Sequence, residues 1–437
     1  MTAAVPAPDV DTVLGNGLRV VVVRAPVVPL AEIRLTVPHA PATGGDVSRR
    51  QVLAACLLHG TPEHDAASFD AALAGCGATL TATADARRLT VTGHTLADRL
   101  PDVLRLLADA VLRPELDDAL VARQAAQTAH RLRLAADQPA AVAQDALLRH
   151  RYGERAALWQ PAPDGLRGCD AAALRALHRQ HVRAGGASLV LAGDVRPDEA
   201  LHQVTRTLGG WRAAEGEVRR VPPPPFGGGP LRLVRRPGAV QSLLRLAAPA
   251  VPRTDPAYPA LHLANVAFGG SFSSRLARRL REEKGYAYLV ASGMESVPGS
   301  SALMVEADTA TEHTAAALAC VREELERVCE QPPDTAEVRS AQRYAAGSTA
   351  TAMAAPAALA TALSNLLHVG AGADWLHRWE ERLTAVRPAE VAAAARRFFA
   401  PEGFTGVVVA EGAAVDRMVR ASPSPGFAVV PDPAGAV

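Results

Sequence analysis

A two-domain α+β fold is predicted by three features of this sequence. Strand-type alternation and helix-type periodicity interleave along the whole chain. A Pro/Gly run, Val221-Pro-Pro-Pro-Pro-Phe-Gly-Gly-Gly-Pro230, divides it almost in half and has the composition of an interdomain linker, stiff prolines followed by loose glycines. One element order recurs on both sides of that run, as duplication of a single α/β unit requires. At 437 residues the chain is also longer than one ordinary core sustains. The domains are therefore expected at residues 1–220 and 231–437, with 221–230 between them.

In the first half, Gly15-Asn16-Gly17 is a hairpin-type turn signal, and the β-branched run after it reads as a strand ending near Val23. Ile33–Val37 alternates as a second strand. A helix is expected from a Ser48 cap to about Leu58, and another from Ser68 to about Ala74, closed by Gly75 and Gly77. Ala78–Thr83 and Arg88–Thr92 alternate as paired strands around Asp85-Ala86. A long helix follows over about Leu96–Leu112, with Leu96, Leu100, Val103, Leu104 and Leu107 on one face. Helices near 115–136, 139–150 and 171–182 lead to an apolar strand, Ala187–Val195.

The second half repeats the order. Strands are expected at Leu231–Val234 and Ser242–Ala247, then helices at about Tyr258–Ala267 and Ser273–Glu283. Paired strands follow at Ala287–Ser292 and Ser301–Ala307, then a long helix over about 311–329. Further helices fill 335–398, and Thr405–Ala410 closes the unit as a strand.

Composition removes several function classes. Lys+Arg 46 against Asp+Glu 45, with no basic block, lacks the electrostatic footprint of a nucleic-acid binder. The five cysteines are an odd number with no C-x-x-C pair, which argues against a disulfide framework or a Cys-type zinc site. The N-terminus has no charged and apolar signal regions, and no run of about 18 apolar residues occurs. A cytoplasmic protein without membrane partners is the expectation.

Several stretches resemble the insulinase/pitrilysin (inverzincin) metallopeptidase family, especially its bacterial and mitochondrial-processing branch. Leu14-Gly-Asn-Gly-Leu-Arg-Val20 is similar to the family's opening strand, and Leu57-Leu-His-Gly-Thr61 with Gly77-Ala-Thr79 to the stretch after its metal helix. Leu174-Arg-Ala-Leu-His-Arg-Gln-His181, Leu189-Val-Leu-Ala-Gly-Asp194 and Gly209-Gly-Trp211 resemble the end of a family domain. The most specific segment is Phe268-Gly-Gly-Ser-Phe-Ser-Ser-Arg-Leu276 with Leu280-Arg-Glu-Glu-Lys-Gly-Tyr-Ala-Tyr288. The resemblance implies two homologous α/β-roll domains, each an antiparallel sheet packed with helices, forming half of a clam-shaped chamber that a second such chain completes.

Members of the family that cut peptides carry H-x-x-E-H on a helix: two His bind zinc and the Glu activates water, and a second Glu downstream completes the ligand set. Aligned on Gly60-Thr61, those positions hold Gln51, Ala54 and Ala55, and the downstream position falls at or near Arg131. None offers a zinc donor of the right kind. No H-x-x-E-H or H-E-x-x-H occurs elsewhere. His59 and His64 flank Pro62, which breaks any shared helical face, and His178 and His181 have no accompanying acid, so structural roles are expected for both pairs. No metal or cofactor is expected in this chain.

The family's C-terminal domain carries an Arg and a Tyr that reach the substrate backbone near the scissile bond, and the resemblance places these at Arg281 and Tyr288. A guanidinium and a phenol are both donors of the kind that steady a tetrahedral intermediate. The bland alternatives are an Arg281 paired with a neighbouring Glu and a Tyr288 that covers a strand. The pattern implied is that of a non-catalytic subunit, similar to the alpha type of mitochondrial processing peptidase. Its partner would be a zinc-binding peptidase subunit of the same family and its substrate a peptide. The loop at Phe268–Arg275 is short where that alpha-type chain carries an extended glycine-rich one. A scaffold of the same fold without a proteolytic role is the competing reading.

Overall fold

The structure, a computed structural model, describes residues 5–39, 44–213, 222–421 and 428–431. The chain forms two compact units, each built on a six-stranded sheet.

The first half contains β1 (Val10–Val13), β2 (Arg19–Arg24), β3 (Leu30–Pro38), α1 (Gly44–Cys56), α2 (Ala66–Gly75), β4 (Thr79–Ala84) and β5 (Arg88–Leu96). It continues through α3 (Leu100–Leu112), α4 (Asp118–Ala136), α5 (Pro139–Tyr152), α6 (Ala171–His181), β6 (Ser188–Gly193) and α7 (Pro197–Leu208). The second half runs β7 (Leu231–Arg235), β8 (Gln241–Pro249), α8 (Tyr258–Phe268), α9 (Arg275–Ala277) with a π-helical continuation (Arg278–Glu283), β9 (Ala287–Val297) and β10 (Ser300–Ala310). Then follow α10 (Thr314–Glu330), α11 (Thr335–Met353), α12 (Pro356–His368), α13 (Trp379–Thr384), α14 (Pro388–Phe398), β11 (Thr405–Ala410), α15 (Gly412–Ala421) and β12 (Val429–Pro431).

The strand orders are β1-β2-β6-β3-β5-β4 and β12-β7-β11-β8-β10-β9. Removing the first strand of each leaves one topology twice, so the duplication expected from element order holds at the level of pairing. It also survives in one side chain. Arg34 on β3 donates to its own preceding carbonyl, Ile33, and to Gly93 across the ladder, while Arg245 on β8 donates to Leu244 and Ala307 in the equivalent register.

The compact units do not coincide with the two halves of the sequence. One unit comprises Met1–Leu134, Ala157–Val221 and Thr349–Arg378; the other comprises Ala135–Ala156, Pro222–Ser348 and Trp379–Val437. Helix α5 packs on β8 and β11, and α12 packs on β6 and β3, which are equivalent strands of the two sheets. Each sheet is thus covered by a helix from the opposite half of the chain. Ala143 and Leu147 of α5 are fully buried among Leu243, Val409, Ala247 and Val407. On α12, Leu359, Leu363, Leu366 and Leu367 are buried, and Ser364 shares a 2.9 Å hydroxyl hydrogen bond with Thr36. Burying a leucine stabilises by about 1.5–3 kcal/mol, whereas doubling a connection costs only about 0.6 kcal/mol. Apolar burial therefore decides where these helices settle, and distance along the chain does not.

Local details depart from expectation in three places. Ser48 is not a cap. It lies inside α1, fully buried, where its hydroxyl donates to the Ala162 carbonyl at 2.7 Å and accepts from the Ala162 N–H at 2.8 Å. Helix α2 is capped by Asp65, whose carboxylate accepts from the Ser68 N–H. Leu96 ends β5 and is 42% exposed, because a 3-10 turn (Ala97–Arg99) precedes α3 and takes Leu96 off the helical face. Leu100, Val103, Leu104 and Leu107 are buried as the periodicity requires.

The opening turn has a tertiary reason. The Asn16 side-chain amide donates to the carbonyls of Leu208 and Trp211 at 2.7 and 3.2 Å, tying the first hairpin to the end of α7. Gly17 has φ +90 and comes within 3.1 Å of the Gly185 Cα at its Cβ position, so backbone angle and space both demand glycine. Among the described residues no single helix is long and apolar enough to cross a membrane; α11 and α12 reach that only as a pair bent by 112°.

Candidate functional site

In the first unit, α1 lies against β4 and α6 and buries Val47, Val52, Leu53 and Cys56. Of the positions aligned with a metal motif, Ala54 is buried and Ala55 is half-buried. Gln51 is half-buried too, and its Oε1 has no hydrogen-bond partner among the described residues. Arg131, on α4, is exposed and donates to the Thr128 hydroxyl at 3.3 Å.

The surroundings of α1 are cationic. Arg50 is 2% exposed, and burial pushes its guanidinium down to about 10 against the favourable pull of Asp46. Burial, reinforced by the charge of Arg50, pushes His39 down to about 3 and His181 to about 4. These histidines are therefore neutral at pH 7. His39 bonds the Asp85 carbonyl at 3.0 Å and His178 the Val111 carbonyl at 2.8 Å, so both are tied to backbone. His94 meets the Thr79 hydroxyl at 3.2 Å.

Among the described residues no group of three or more His, Cys, Asp or Glu side chains could hold a metal ion. The residues of the aligned positions, an amide, two methyl groups and an exposed guanidinium beside a buried cation, do not fit a zinc ion.

In the second unit, Arg281 and Tyr288 are each set on an irregularity of the backbone. Arg281 belongs to the π-helical stretch Arg278–Glu283, a geometry that recurs at functional sites. The chain leaves it through Gly285 at φ +65, and the Tyr286 N–H donates to the Leu280 carbonyl at 2.8 Å. Strand β9 is the outermost strand of its sheet. In its ladder with β10, Ala287 faces Thr309 and Leu289 faces Asp308, leaving Tyr288 as the extra residue of a β-bulge. A bulge re-aims a side chain, and Tyr288 is 91% exposed.

Neither bland alternative describes this geometry. Among the described residues Arg281 pairs with no carboxylate; Glu283 is taken by Arg279 at 2.9 Å. Arg281 instead stacks on Phe272, with its guanidinium carbon 3.8 Å from the ring centroid, and donates to the Phe272 carbonyl at 2.8 Å. Tyr288, almost wholly in solvent, covers no strand.

Phe272, 75% exposed, escaped the sequence reading because nothing local pairs it with a residue nine positions on. The fastening of its loop was missed as well. Asn265, on α8, donates to the Ser292 carbonyl at 3.3 Å and accepts from the Ser292 hydroxyl at 2.6 Å, and the Ser292 N–H donates to the Gly269 carbonyl at 2.9 Å. A Cβ on Gly270 would stand 2.7 Å from the Asn265 amide nitrogen, so that glycine admits the clamp.

The second unit thus sets a half-buried Arg281 and an exposed Tyr288 on two backbone irregularities, and the first has no metal-binding cluster among its described residues. Residues 53–158 match the family model described as "Insulinase (Peptidase family M16)", and residues 168–344 match "Peptidase M16 inactive domain". The chain belongs to peptidase family M16, the insulinase family.

Among its relatives, a protein named as a zinc protease from Mycobacterium leprae is 27% identical over 306 residues, 68% of each chain. One so named from Streptomyces coelicolor is 24% identical over 354 residues, 77% of this chain and 76% of that one. A Pseudomonas fluorescens structure titled as a peptidase M16 inactive domain superposes with TM-score 0.83 at 21% identity, covering 92% of this chain and 97% of the other. A protease from Helicobacter pylori gives 0.81 at 16% identity, covering 93% and 100%.

Proposed function

We propose that this chain is the non-catalytic subunit of a heterodimeric zinc metallopeptidase. The partner, a zinc-binding chain of the same family, supplies the metal and the water-activating carboxylate. This chain closes the chamber and binds the peptide. The observation that carries the reading is the contrast between its two units: the described residues of the first hold no metal-binding cluster, while in the second Arg281 sits on a π-helical turn and a β-bulge turns Tyr288 into solvent. Such irregularities weaken regular backbone pairing and persist where a side chain must be aimed.

In this role the Arg281 guanidinium and the Tyr288 hydroxyl donate hydrogen bonds to the peptide carbonyl oxygen on which charge develops. Donors fixed beforehand cost no reorganisation during reaction. Arg281 is fixed by Phe272 on one face and by the Phe272 carbonyl at its edge. Outside Ser292, whose N–H and carbonyl are taken by Gly269 and Asn265, the outer edge of β9 offers backbone groups for an extended peptide. Peptide maturation, such as trimming a leader segment, is a task suited to this arrangement.

The test is to mix the chain with a zinc-binding family member encoded beside it and to measure peptide cleavage. Cleavage that requires both chains supports the proposal; a partner that cleaves as well alone overturns it. The competing reading, a scaffold of the same fold, is favoured by the complete loss of metal ligands. It predicts that Arg281→Ala leaves cleavage unchanged.

A further inference from the structure

A second polar feature of the second unit is not used by the Arg281/Tyr288 pair. A cavity of about 210 Å³ opens between the loop after α8, the start of α9 and helix α11. Its lining includes Ser271, Ser273, Ser274, Arg278, Glu337 and Tyr344. Ser274 is 2% exposed, and its hydroxyl has no hydrogen-bond partner among the described residues, although it occupies the cap position of α9 where a serine ordinarily bonds the first turn. A buried hydroxyl left unpaired in a polar cavity is a group that a ligand would satisfy.

The charge balance of the cavity narrows the ligand. Glu337 is neutralised by Arg275, which grips it through two bonds of 2.8 and 2.6 Å and also donates to the Gln331 carbonyl. Ser271 is committed to the Val266 carbonyl at 3.2 Å. The Arg278 side chain is exposed and makes no hydrogen bond or ion pair among the described residues, and the carboxylate its charge acts on, Glu283, is already gripped by Arg279 at 2.9 Å. What remains is one positive charge without an ion-pair contact, beside the Ser274 and Ser273 hydroxyls, with the Tyr344 phenol at the rim.

We propose that this cavity is a carboxylate-binding subsite, in which Arg278 and the buried Ser274 hydroxyl hold a single carboxylate of a bound peptide. One net charge matches a carboxylate better than a doubly charged phosphate. The carboxylate comes from an acidic side chain or from a peptide C-terminus. The subsite and Arg281 share a scaffold: Ser271, Ser273 and Ser274 flank the same Phe272 that carries Arg281. The assignment rests on the reading of this chain as a peptide-binding subunit, and deepens it by selecting acidic peptides.

Two probes applied to the full chain test the subsite independently of cleavage. N-acetylglutamate α-amide presents a side-chain carboxylate, and N-acetylalanine presents a C-terminal one; N-acetylglutamine amide is the uncharged control. Titration calorimetry is expected to detect one of the two acids, at least tenfold tighter than the control, as a charge-assisted pair requires. Which acid binds identifies the source. Arg278→Gln, on the surface, should abolish the preference. Ser274→Ala should do the same while leaving the melting temperature unchanged or raised, because it removes an unpaired buried hydroxyl. The proposal is overturned if neither acid outbinds the control, or if both variants keep the preference. Equal affinity for inorganic phosphate would mark a non-selective anion pocket and overturn it as well. Loss of cleavage by the two-chain mixture with carboxylate binding intact would instead count against the peptidase reading alone.

Discussion

The Arg281 guanidinium lies 3.8 Å from the ring centroid of Phe272 and donates to the carbonyl of that same residue at 2.8 Å. The two contacts hold a planar group by face and by edge, which sets both its position and the direction of its remaining N–H bonds. An exposed cation–π contact contributes about 0.5–1 kcal/mol. Phe272→Ala should therefore lower kcat of the two-chain mixture by about two- to fivefold. Arg281→Ala should cost on the order of 10²–10³, the loss usual for an oxyanion donor. Steady-state kinetics separate the cases, and equal losses in the two variants would contradict a positioning role for Phe272.

Tyr288 separates function from stability. At 91% exposure, removing its hydroxyl should change the free energy of unfolding by less than about 0.5 kcal/mol. Tyr288→Phe should thus melt like the parent in urea yet lose activity with the partner. A variant that retained full kcat would make the phenol dispensable.

The clamp under the Phe272 loop predicts the opposite pattern. Asn265 is 4% exposed and Ser292 7%. Asn265→Ala strands the Ser292 hydroxyl and carbonyl, at a cost of about 1–3 kcal/mol. Urea denaturation should show that loss, whereas Asn265→Asp, which keeps an acceptor for the Ser292 hydroxyl, should restore part of it.

Metal analysis tests the reading of α1 as a helix without zinc ligands. The purified chain should carry zinc far below one equivalent, and chelator should leave its melting temperature unchanged, since binding to the folded state alone would raise it. Stoichiometric zinc in the isolated chain would contradict the assignment of Gln51, Ala54, Ala55 and Arg131 as lost ligands.

Acid should destabilise the protein in a defined window. Burial and the Arg50 charge hold His39 at about 3 and His181 at about 4, while burial and Arg253 hold His262 at about 4, all below the usual 6.5. Asp85 and Asp46 oppose these shifts without cancelling them. The unfolded chain then binds more protons than the folded chain below about pH 6.5. Stability contributed by the neutral histidines is whole above that pH and is lost as pH falls toward 3. Urea midpoints measured from pH 7 to pH 4 should decline, and His39→Gln should flatten the decline.

Much of this was legible in the sequence. Periodicity and turn chemistry located nearly every strand, and the absence of metal donors at Gln51, Ala54 and Ala55 needed no coordinates. Ser48 and Leu96 were misread for one reason. Both assignments judged a residue by its immediate neighbours, whereas Ser48 is held by Ala162 and Leu96 by the strand it ends. Arg281 was singled out by its motif, whereas its contact with Phe272 was not foreseen, because an Arg–aromatic contact across a loop has no period.

The sequence by itself determined the element order and its duplication, since both are written in local spacing and in the periodicity of single side chains. Tertiary structure alone decided that α5 and α12 cover the sheets of opposite halves, that a bulge turns Tyr288 outward, and that Arg281 rests on Phe272. Those outcomes depend on which apolar faces find each other and which ladder register wins. Such contacts are set by the packing of distant segments, so no window of the sequence contains them.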